Sequence, residues 1–342
     1  MKRMLNTLFV TTQGAYLSKK GDTVLVNIDR EVKLRVPIHT LSQITCFGQI
    51  SMSPFLMGLC GEKGVSVSFL TENGRFLARV NGPVSGNVLL RKAQFEFQQK
   101  NGKTSKLAGK FVTAKIANYR AVLQRALRDN PENKSDELNK ASKYMKSSAF
   151  VALESESLDI IRGIEGEAAR TYFSVFDHLI LCQKEDFKFT SRSKRPPLDK
   201  INAMLSFAYT LLVNDVRSAL ESVGLDPAVG FLHSLRPGRP SLALDIMEEL
   251  RPIFGDRLIL SLINRKQITS SGFKKTESGA VEMNEETRKL LINAYQKRKQ
   301  DEIIHPFTKE KIKFGLLPHL QAMLLARFLR AEMEDYPPYF WK

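Results

Sequence analysis

The sequence predicts an α+β protein, with a small β-rich N-terminal domain that includes one short helix and a larger all-α C-terminal domain. Three observations support this class. The chain has 342 residues, which is enough for about two domains. Apolar and polar residues alternate over short segments up to about residue 90, a pattern typical of strands. Beyond that point apolar residues recur at helical spacing, so we place the domains at residues 1–90 and 91–342.

Short strands and tight turns account for the first domain. The Asn73-Gly74 pair is a strong turn signal, because both residues tolerate a positive φ. Ser53 is a good helix N-cap and Pro54 suits the first helical position, so a short helix should begin there and end near Gly61 or Gly64. Strands are predicted at residues 4–10, 23–28, 32–36, 65–70 and 75–80.

Helices account for the second domain. Gly102 and Gly109 interrupt the first helical stretch, so we expect two helices with a loop between them. The polar residues 270–283 contain the turns of a small hairpin. Helical segments are predicted at residues 91–128, 135–150, 155–178, 198–223, 240–263, 285–300 and 316–332.

The charge of the chain points to polyanions. Lys and Arg number 52 against 36 Asp and Glu, a formal net charge of +16, and such a surface attracts nucleic acid or anionic membranes. Residues 91–128 hold ten Lys and Arg with Glu96 as their single acid. A solvated helix face is the ordinary explanation of such a run. The ten-to-one ratio favours a surface that neutralises DNA phosphates without reading sequence.

Composition also excludes several classes. No 18 consecutive residues are apolar, so we expect no membrane span, and the basic N-terminus lacks the apolar segment of a signal peptide. Cys46, Cys60 and Cys182 are widely spaced with no C-x-x-C, which disfavours a cysteine zinc site and fits a reducing cytosol. A Rossmann or P-loop enzyme is disfavoured, because no strand is followed by G-x-G-x-x-G or by a Walker lysine.

One group of residues in the second domain has the chemistry of a metal site. His233 ends a turn-rich apolar segment, residues 226–233, and Asp245 lies in an apolar run, where an uncompensated carboxylate is costly. Glu248 follows three residues later on the same helical face. Hard divalent cations prefer oxygen ligands with an occasional imidazole. On periodicity alone, however, a capping acid or one paired with Arg251 is the favoured interpretation.

Glu165 is a third acid in an unusual position. Gly163 and Gly166 flank it inside a helical pattern. Each glycine costs a helix about 1 kcal/mol relative to alanine, which is tolerated where backbone or ligand must come close. The residues themselves support no more than that.

Three segments, residues 163–170, 230–233 and 244–252, together resemble the CRISPR-associated integrase family of spacer acquisition, the first of the numbered Cas proteins. They occur in the family's order and approximate spacing, and the two-domain plan matches along nearly the whole chain. The opening residues 5–10 resemble the members that accompany subtype I-C systems.

The resemblance implies the residues of the site. It assigns catalysis and the binding of Mg²⁺ or Mn²⁺ to Glu165, His233 and Asp245. Glu248 is then an auxiliary acid, and Tyr209 lies near the site unless it is only a core aromatic of its helix. The residues expected to contact DNA are Arg75, Arg236 and Arg239.

The resemblance also implies an activity and partners. The family joins the 3′-hydroxyl ends of short duplexes, the new spacers, to the CRISPR repeat by metal-dependent transesterification. The implied partners are double-stranded DNA, a second copy of the chain, and a small ferredoxin-like protein, the second numbered Cas protein; the β-rich domain is the candidate for dimerisation. Two alternatives stay open: a metal-dependent nuclease for branched or single-stranded DNA, and a non-enzymatic basic DNA-binding module.

Overall fold

The structure, a computed structural model, describes residues 6–80, 82, 88–129 and 135–341. Two compact units divide the chain, Met1–Gly86 and Asn87–Lys342. The first unit is rich in strands and the second is mostly helical, which confirms the predicted α+β class. In the described residues no helix is long and apolar enough to cross a membrane.

The first unit contains two four-stranded sheets and one helix. Its elements are β1 Asn6–Val10, β2 Tyr16–Lys20, β3 Thr23–Ile28, β4 Glu31–Pro37, β5 Leu41–Phe47, β6 Ser51–Met52, α1 Pro54–Glu62, β7 Ser66–Leu70 and β8 Phe76–Val80. One sheet has the order β1-β5-β7-β8 and the other β4-β3-β2-β6. Strands β1 and β7 run parallel to β5, whereas β3 pairs antiparallel with both β2 and β4. Met4 and Leu5 of the predicted first strand lie outside the described residues.

The local signals in this unit operate as the sequence predicts. The Ser53 hydroxyl accepts a hydrogen bond from the Leu56 amide at 3.2 Å and caps α1. Gly74 adopts a φ of +85° in the turn before β8. Val24, Ile44 and Leu56, from the two sheets and α1, are fully buried in one apolar cluster. That cluster gives the unit a core of its own.

The second unit begins with a helix that starts before residue 90. Its elements are α2 Val88–Gln98, α3 Asn101–Asp129, α4 Asp136–Glu154, α5 Leu158–Ser174, α6 Lys200–Ser222, α7 Ser241–Arg251, α8 Arg257–Asn264, β9 Phe273–Lys275, β10 Val281–Met283, α9 Glu285–Lys299, β11 Glu302–Ile304, β12 Lys311–Lys313 and α10 Leu317–Leu329. Strands β9 and β10 form an antiparallel pair within the hairpin predicted at residues 270–283. A second pair, β11 with β12, was not expected, so this unit is mostly helical rather than all-α.

The long helix α3 is the centre of the second unit. It packs against α4, α5 and α7. Gly109 does not interrupt it, contrary to the expectation from sequence; the break falls between Gln98 and Asn101 instead. A Cβ on Gly109 would lie 2.7 Å from the carbonyl oxygen of Ala152. Glycine therefore allows α4 to approach α3 closely.

Helices α7 and α8 are joined by a wide turn where the sequence predicted a single helix. Pro252–Asp256 forms one π-helical turn between them, a feature frequently found at functional sites. Gly255 in this turn leaves room for an aromatic ring, since a Cβ there would lie 2.6 Å from Cε1 of Tyr209. The turn thereby brings α6 and α7 together beside the candidate site.

Candidate metal centre

The carboxylate of Asp245 holds the loop that precedes α7. Its Oδ2 accepts hydrogen bonds from the amides of Phe231 (2.6 Å) and Leu232 (3.0 Å). Its Oδ1 accepts from the amide of His233 at 3.0 Å and from the imidazole Nδ1 at 2.6 Å. Asp245 is fully buried. Four donors thus surround its two oxygens, and the side chain fixes both the loop and the histidine.

Glycine and arginine allow this loop to form. A Cβ on Gly230 would lie 2.8 Å from Oδ2 of Asp245 and 2.7 Å from the backbone of Ser241, so only glycine fits. On the other side, Nε of Arg162 in α5 donates to the Leu232 carbonyl at 2.8 Å. The motif residues of α5, the loop and α7 are therefore one connected assembly.

His233 presents its second nitrogen to Glu248. With Nδ1 assigned as the donor to Asp245, the neutral ring carries its free lone pair on Nε2, which lies 3.8 Å from Oε1 of Glu248. The side chain is 19% exposed. A carboxylate behind a histidine is the arrangement that sets the tautomer of metal-binding imidazoles.

A buried lysine occupies the space between two acids. Lys115, in the middle of α3, is only 2% exposed. Its ammonium pairs with Oε1 of Glu165 and, at 2.6 Å, with Oε2 of Glu248. Burial alone would lower the pKa of Lys115, but the charges of Glu248 and Glu165 outweigh burial and raise it. The lysine is therefore a charged ammonium. It belongs to a cluster that we call the pocket, which consists of Lys115, Glu165, His233, Glu248 and Arg251.

Two cations hold the carboxylate of Glu248 in its ionised form. It is 1% exposed, and Nη1 of Arg251 pairs with its Oε1 at 2.9 Å. Burial opposes its ionisation, but the cations Arg251 and Lys115 prevail and lower the pKa of Glu248 to about 2. The two carboxylates of Glu165 and Glu248 are thus paired with two cations, Lys115 and Arg251. Such pairing of opposite charges is what buried charged groups require.

Glu165 reaches this pocket from α5, where its side chain is 27% exposed. Its flanking glycines do not serve a close approach by another part of the described chain, and the approach of a ligand stays a prediction. A Cβ on Gly163 or Gly166 would meet no atom within 4 Å beyond its chain neighbours and the backbone of its own helix. Glu165 owes its position to its place on the helix, one turn after Arg162.

The donor set of the pocket fits a hard divalent cation. Two carboxylates and one imidazole nitrogen, from Glu165, Glu248 and His233, are oxygen and nitrogen ligands of the kind Mg²⁺ and Mn²⁺ accept. They are not assembled around a vacant centre, since within the described residues no three His, Cys, Asp or Glu side chains form a ready metal cluster. Lys115 contacts two of the three. Asp245 lies behind His233, and both of its oxygens already accept hydrogen bonds from the loop.

Tyr209 lies beside the pocket and not within it. Two guanidinium groups make cation–π contacts with its ring, those of Arg192 and Arg251, and each lies 5.4 Å from the ring centre. Its hydroxyl donates to Oδ1 of Asp256. Burial, aided by the charge of Asp256, raises the pKa of Tyr209 well above its ordinary value. The neutral tyrosine thereby supports Arg251, which contacts Glu248.

The three predicted DNA-contacting arginines lie on loops, two in the second unit and one in the first. Arg236 is exposed and Arg239 half-buried on the loop that follows His233. Arg75 is exposed after the turn that leads into β8 of the first unit. Their DNA contacts stay a prediction.

Lys115 is the site residue that the sequence analysis missed, because it was counted among the phosphate-binding cations of residues 91–128. A signal was available. The residues four before, three before and four after it, Phe111, Val112 and Tyr119, are apolar or aromatic and buried. A lysine on the apolar stripe of a helix must find acidic partners inside the protein.

Fold and pocket together define the class: a two-domain protein whose helical domain carries a buried pocket of acids, histidine and basic residues. The family described as "CRISPR associated protein Cas1" matches residues 8–297. A CRISPR-associated endonuclease Cas1 of Chlorobaculum tepidum is 56% identical over 343 residues and covers 100% of both chains. The chain belongs to the Cas1 family, and the resemblance seen in the three segments is confirmed.

Solved structures agree in fold. A casposase bound to integration product superposes with a TM-score of 0.83 at 23% identity, over 98% of this chain and 94% of that one. A chain of a Cas6-RT-Cas1–Cas2 complex gives 0.83 at 21% identity, over 100% of this chain and 36% of that one. At such identities the likeness concerns the fold alone.

Proposed function

We propose that the protein is the metal-dependent DNA integrase and endonuclease of CRISPR adaptation, which joins the 3′-hydroxyl ends of short duplexes to the repeat by transesterification. The observation that supports this most is one partly buried cluster, in which Lys115 joins Glu165 to Glu248 and Nε2 of His233 lies 3.8 Å from Oε1 of Glu248. The family and the named endonuclease relative support it independently. The N-terminal residues favour the subtype I-C form.

The donors of the proposed site differ in one respect from the expectation. Glu165, His233 and Glu248 would hold Mg²⁺ or Mn²⁺, whereas Asp245 contacts Nδ1 of His233 and orients the ring with Nε2 toward Glu248. A bound divalent cation supplies Lewis acidity, which lowers the pKa of an attacking hydroxyl and offsets charge at phosphorus.

The remaining residues prepare the pocket for a phosphodiester. Arg251 holds the carboxylate of Glu248 in place, and Tyr209 with Asp256 holds Arg251. The loop that carries His233 continues into Arg236 and Arg239, which would contact phosphates of the bound DNA. The burial of Glu248 and Asp245 limits access of water.

We propose the same partners that the family uses. The exposed Lys and Arg of α2 and α3 would bind the backbone of double-stranded DNA. The complex noted above contains Cas2, and the casposase holds an integration product, which supports Cas2 and DNA as partners here. A homodimer through the β-rich unit completes the proposal, since two DNA ends require two sites.

The test supplies a duplex with free 3′-hydroxyl ends, a repeat-bearing plasmid and Mn²⁺ or Mg²⁺. The wild-type protein, with its Cas2 partner, should give half-site products, and Glu165→Ala or His233→Ala should reduce them at least a hundredfold while DNA binding persists. Cleavage without joining would favour the nuclease alternative. Salt-sensitive binding with no product, unchanged by Glu165→Ala, would favour a binding module.

A further inference from the structure

We propose that Lys115 is a resident cation of the metal pocket, which a divalent ion must displace from Glu165 and Glu248 before it can bind. This inference rests on the proposed function and concerns the same site. It assigns to Lys115 the control of metal affinity.

The charges of the pocket support this role. Glu165 and Glu248 carry two negative charges, and Lys115 and Arg251 supply two positive ones, at N–O separations of ion pairs. Three of these four side chains are at most 16% exposed, so water screens them weakly. The charges of these four side chains cancel, so the two carboxylates that would hold a divalent ion are already balanced by two cations in contact with them.

The position of the ammonium makes direct competition unavoidable. Lys115 touches both acids that would hold the metal, and it is the cation they share. Its contacts are Oε1 of Glu165 and Oε2 of Glu248, and a metal ion on the other oxygens of these carboxylates would meet strong repulsion from an ammonium so close. Metal binding at Glu165 and Glu248 is therefore an exchange of ammonium for metal.

The ring of Tyr119 is a second binding partner for the displaced ammonium. Nζ of Lys115 already lies 5.6 Å from the centre of the Tyr119 ring. That ring is stacked on Tyr172 at 3.8 Å and is held in place. An aromatic face stabilises a desolvated ammonium by cation–π attraction, so a side-chain rotation suffices and the helix need not move.

A matched control is available in the same unit. Lys299 is also buried, 4% exposed, and pairs with Asp215 at 2.9 Å. Asp215 and Lys299 are not among the residues of the pocket. Lys299→Met removes a buried ammonium and one unit of charge, as Lys115→Met does, without touching Glu165 or Glu248.

The experiment measures Mn²⁺ binding to the full chain without DNA, by calorimetry and by the metal-induced rise in Tm. Lys115→Met should lower the metal-free Tm, tighten the Kd for Mn²⁺ at least tenfold and enlarge the rise in Tm. Lys299→Met should lower the Tm and leave the Kd unchanged. Lys115→Arg, which keeps the charge and is the variant most certain to fold, should bind Mn²⁺ no more tightly than the wild type.

The outcomes separate the inference from the proposed function. If Lys115→Met binds Mn²⁺ no more tightly than the wild type, or Lys115→Arg binds it tenfold more tightly, the inference is overturned while the metal site stands. If neither the wild type nor any variant binds Mn²⁺, the metal site itself is wrong and the inference fails with it.

Discussion

At the scale of single residues, two acids one helical turn apart perform different tasks. Asp245 and Glu248 share a face of α7, yet four N–H groups surround the first and two cations pair with the second. The sequence could place both in an apolar run but could not separate them, because the difference arises from how the loop before α7 folds back and from Lys115 on another helix. Only the fold brings these partners together.

Substitutions at these two positions should distinguish a ligand from a positioning residue. Asp245→Asn turns an amide toward N–H donors and leaves at least one unpaired, which costs about 1–3 kcal/mol, and should weaken Mn²⁺ binding about 10–100-fold. Glu248→Gln should abolish Mn²⁺ binding measurable by calorimetry. If instead Asp245→Asn abolishes binding and Glu248→Gln preserves it, Asp245 is the ligand, as first expected from the sequence.

At the scale of elements, the sequence predicted the capped helix α1 and the Asn-Gly turn well but missed several strands, among them β2, β5, β11 and β12. The N-cap at Ser53 and the turn at Gly74 are local signals, and both are confirmed. Strand β5, Leu41–Phe47, was missed because it lies between two parallel neighbours and is buried on both faces, so it shows no alternation. Gly109 misled the prediction because a helix–helix contact is a tertiary event.

Two glycines of α3 should respond in opposite ways to alanine. Gly109→Ala places a Cβ 2.7 Å from a backbone oxygen of α4 and should destabilise the unit by about 1–3 kcal/mol. Gly102→Ala meets no atom within 4 Å outside its local backbone and should stabilise the helix by up to about 1 kcal/mol. Denaturant unfolding of both variants measures these changes. Equal effects would contradict the close approach of α3 and α4.

At the scale of the whole molecule, the division into a β-rich and a helical unit follows from the change in hydrophobic period, which is why the sequence predicted it. The net charge of +16 did not reveal which cations face water. One of the ten in residues 91–128, Lys115, is internal. The sequence pattern shows which residues share a helix face. Whether one of its lysines is buried, and which acids it pairs with, depends on residues distant in the sequence.

Stability should depend on pH through Asp256. This carboxyl is fully buried, and burial raises its pKa from 3.8 to about 6. Because the folded-state pKa is the higher one, the contribution of Asp256 is fully present below about pH 4 and is lost as the pH rises to about 6. The free energy of unfolding should therefore fall by about 3 kcal/mol over that interval relative to Asp256→Asn.

Asp256→Asn keeps an acceptor for the hydroxyl of Tyr209 while removing the titration. Urea unfolding of both proteins between pH 4 and 7 gives the difference directly. A difference that does not change with pH would show that Asp256 does not titrate in this range.

The ammonium shared by Glu165 and Glu248 also bears on when the enzyme becomes active. If that ammonium must leave before metal enters, free protein at ordinary cellular metal concentrations is largely unloaded. A DNA phosphate beside the two acids adds negative charge for a metal to neutralise, so DNA favours metal entry and, by reciprocity, metal favours DNA. Protein without bound DNA would then cleave chromosomal DNA little, because the metal-loaded site forms only once a DNA substrate is bound.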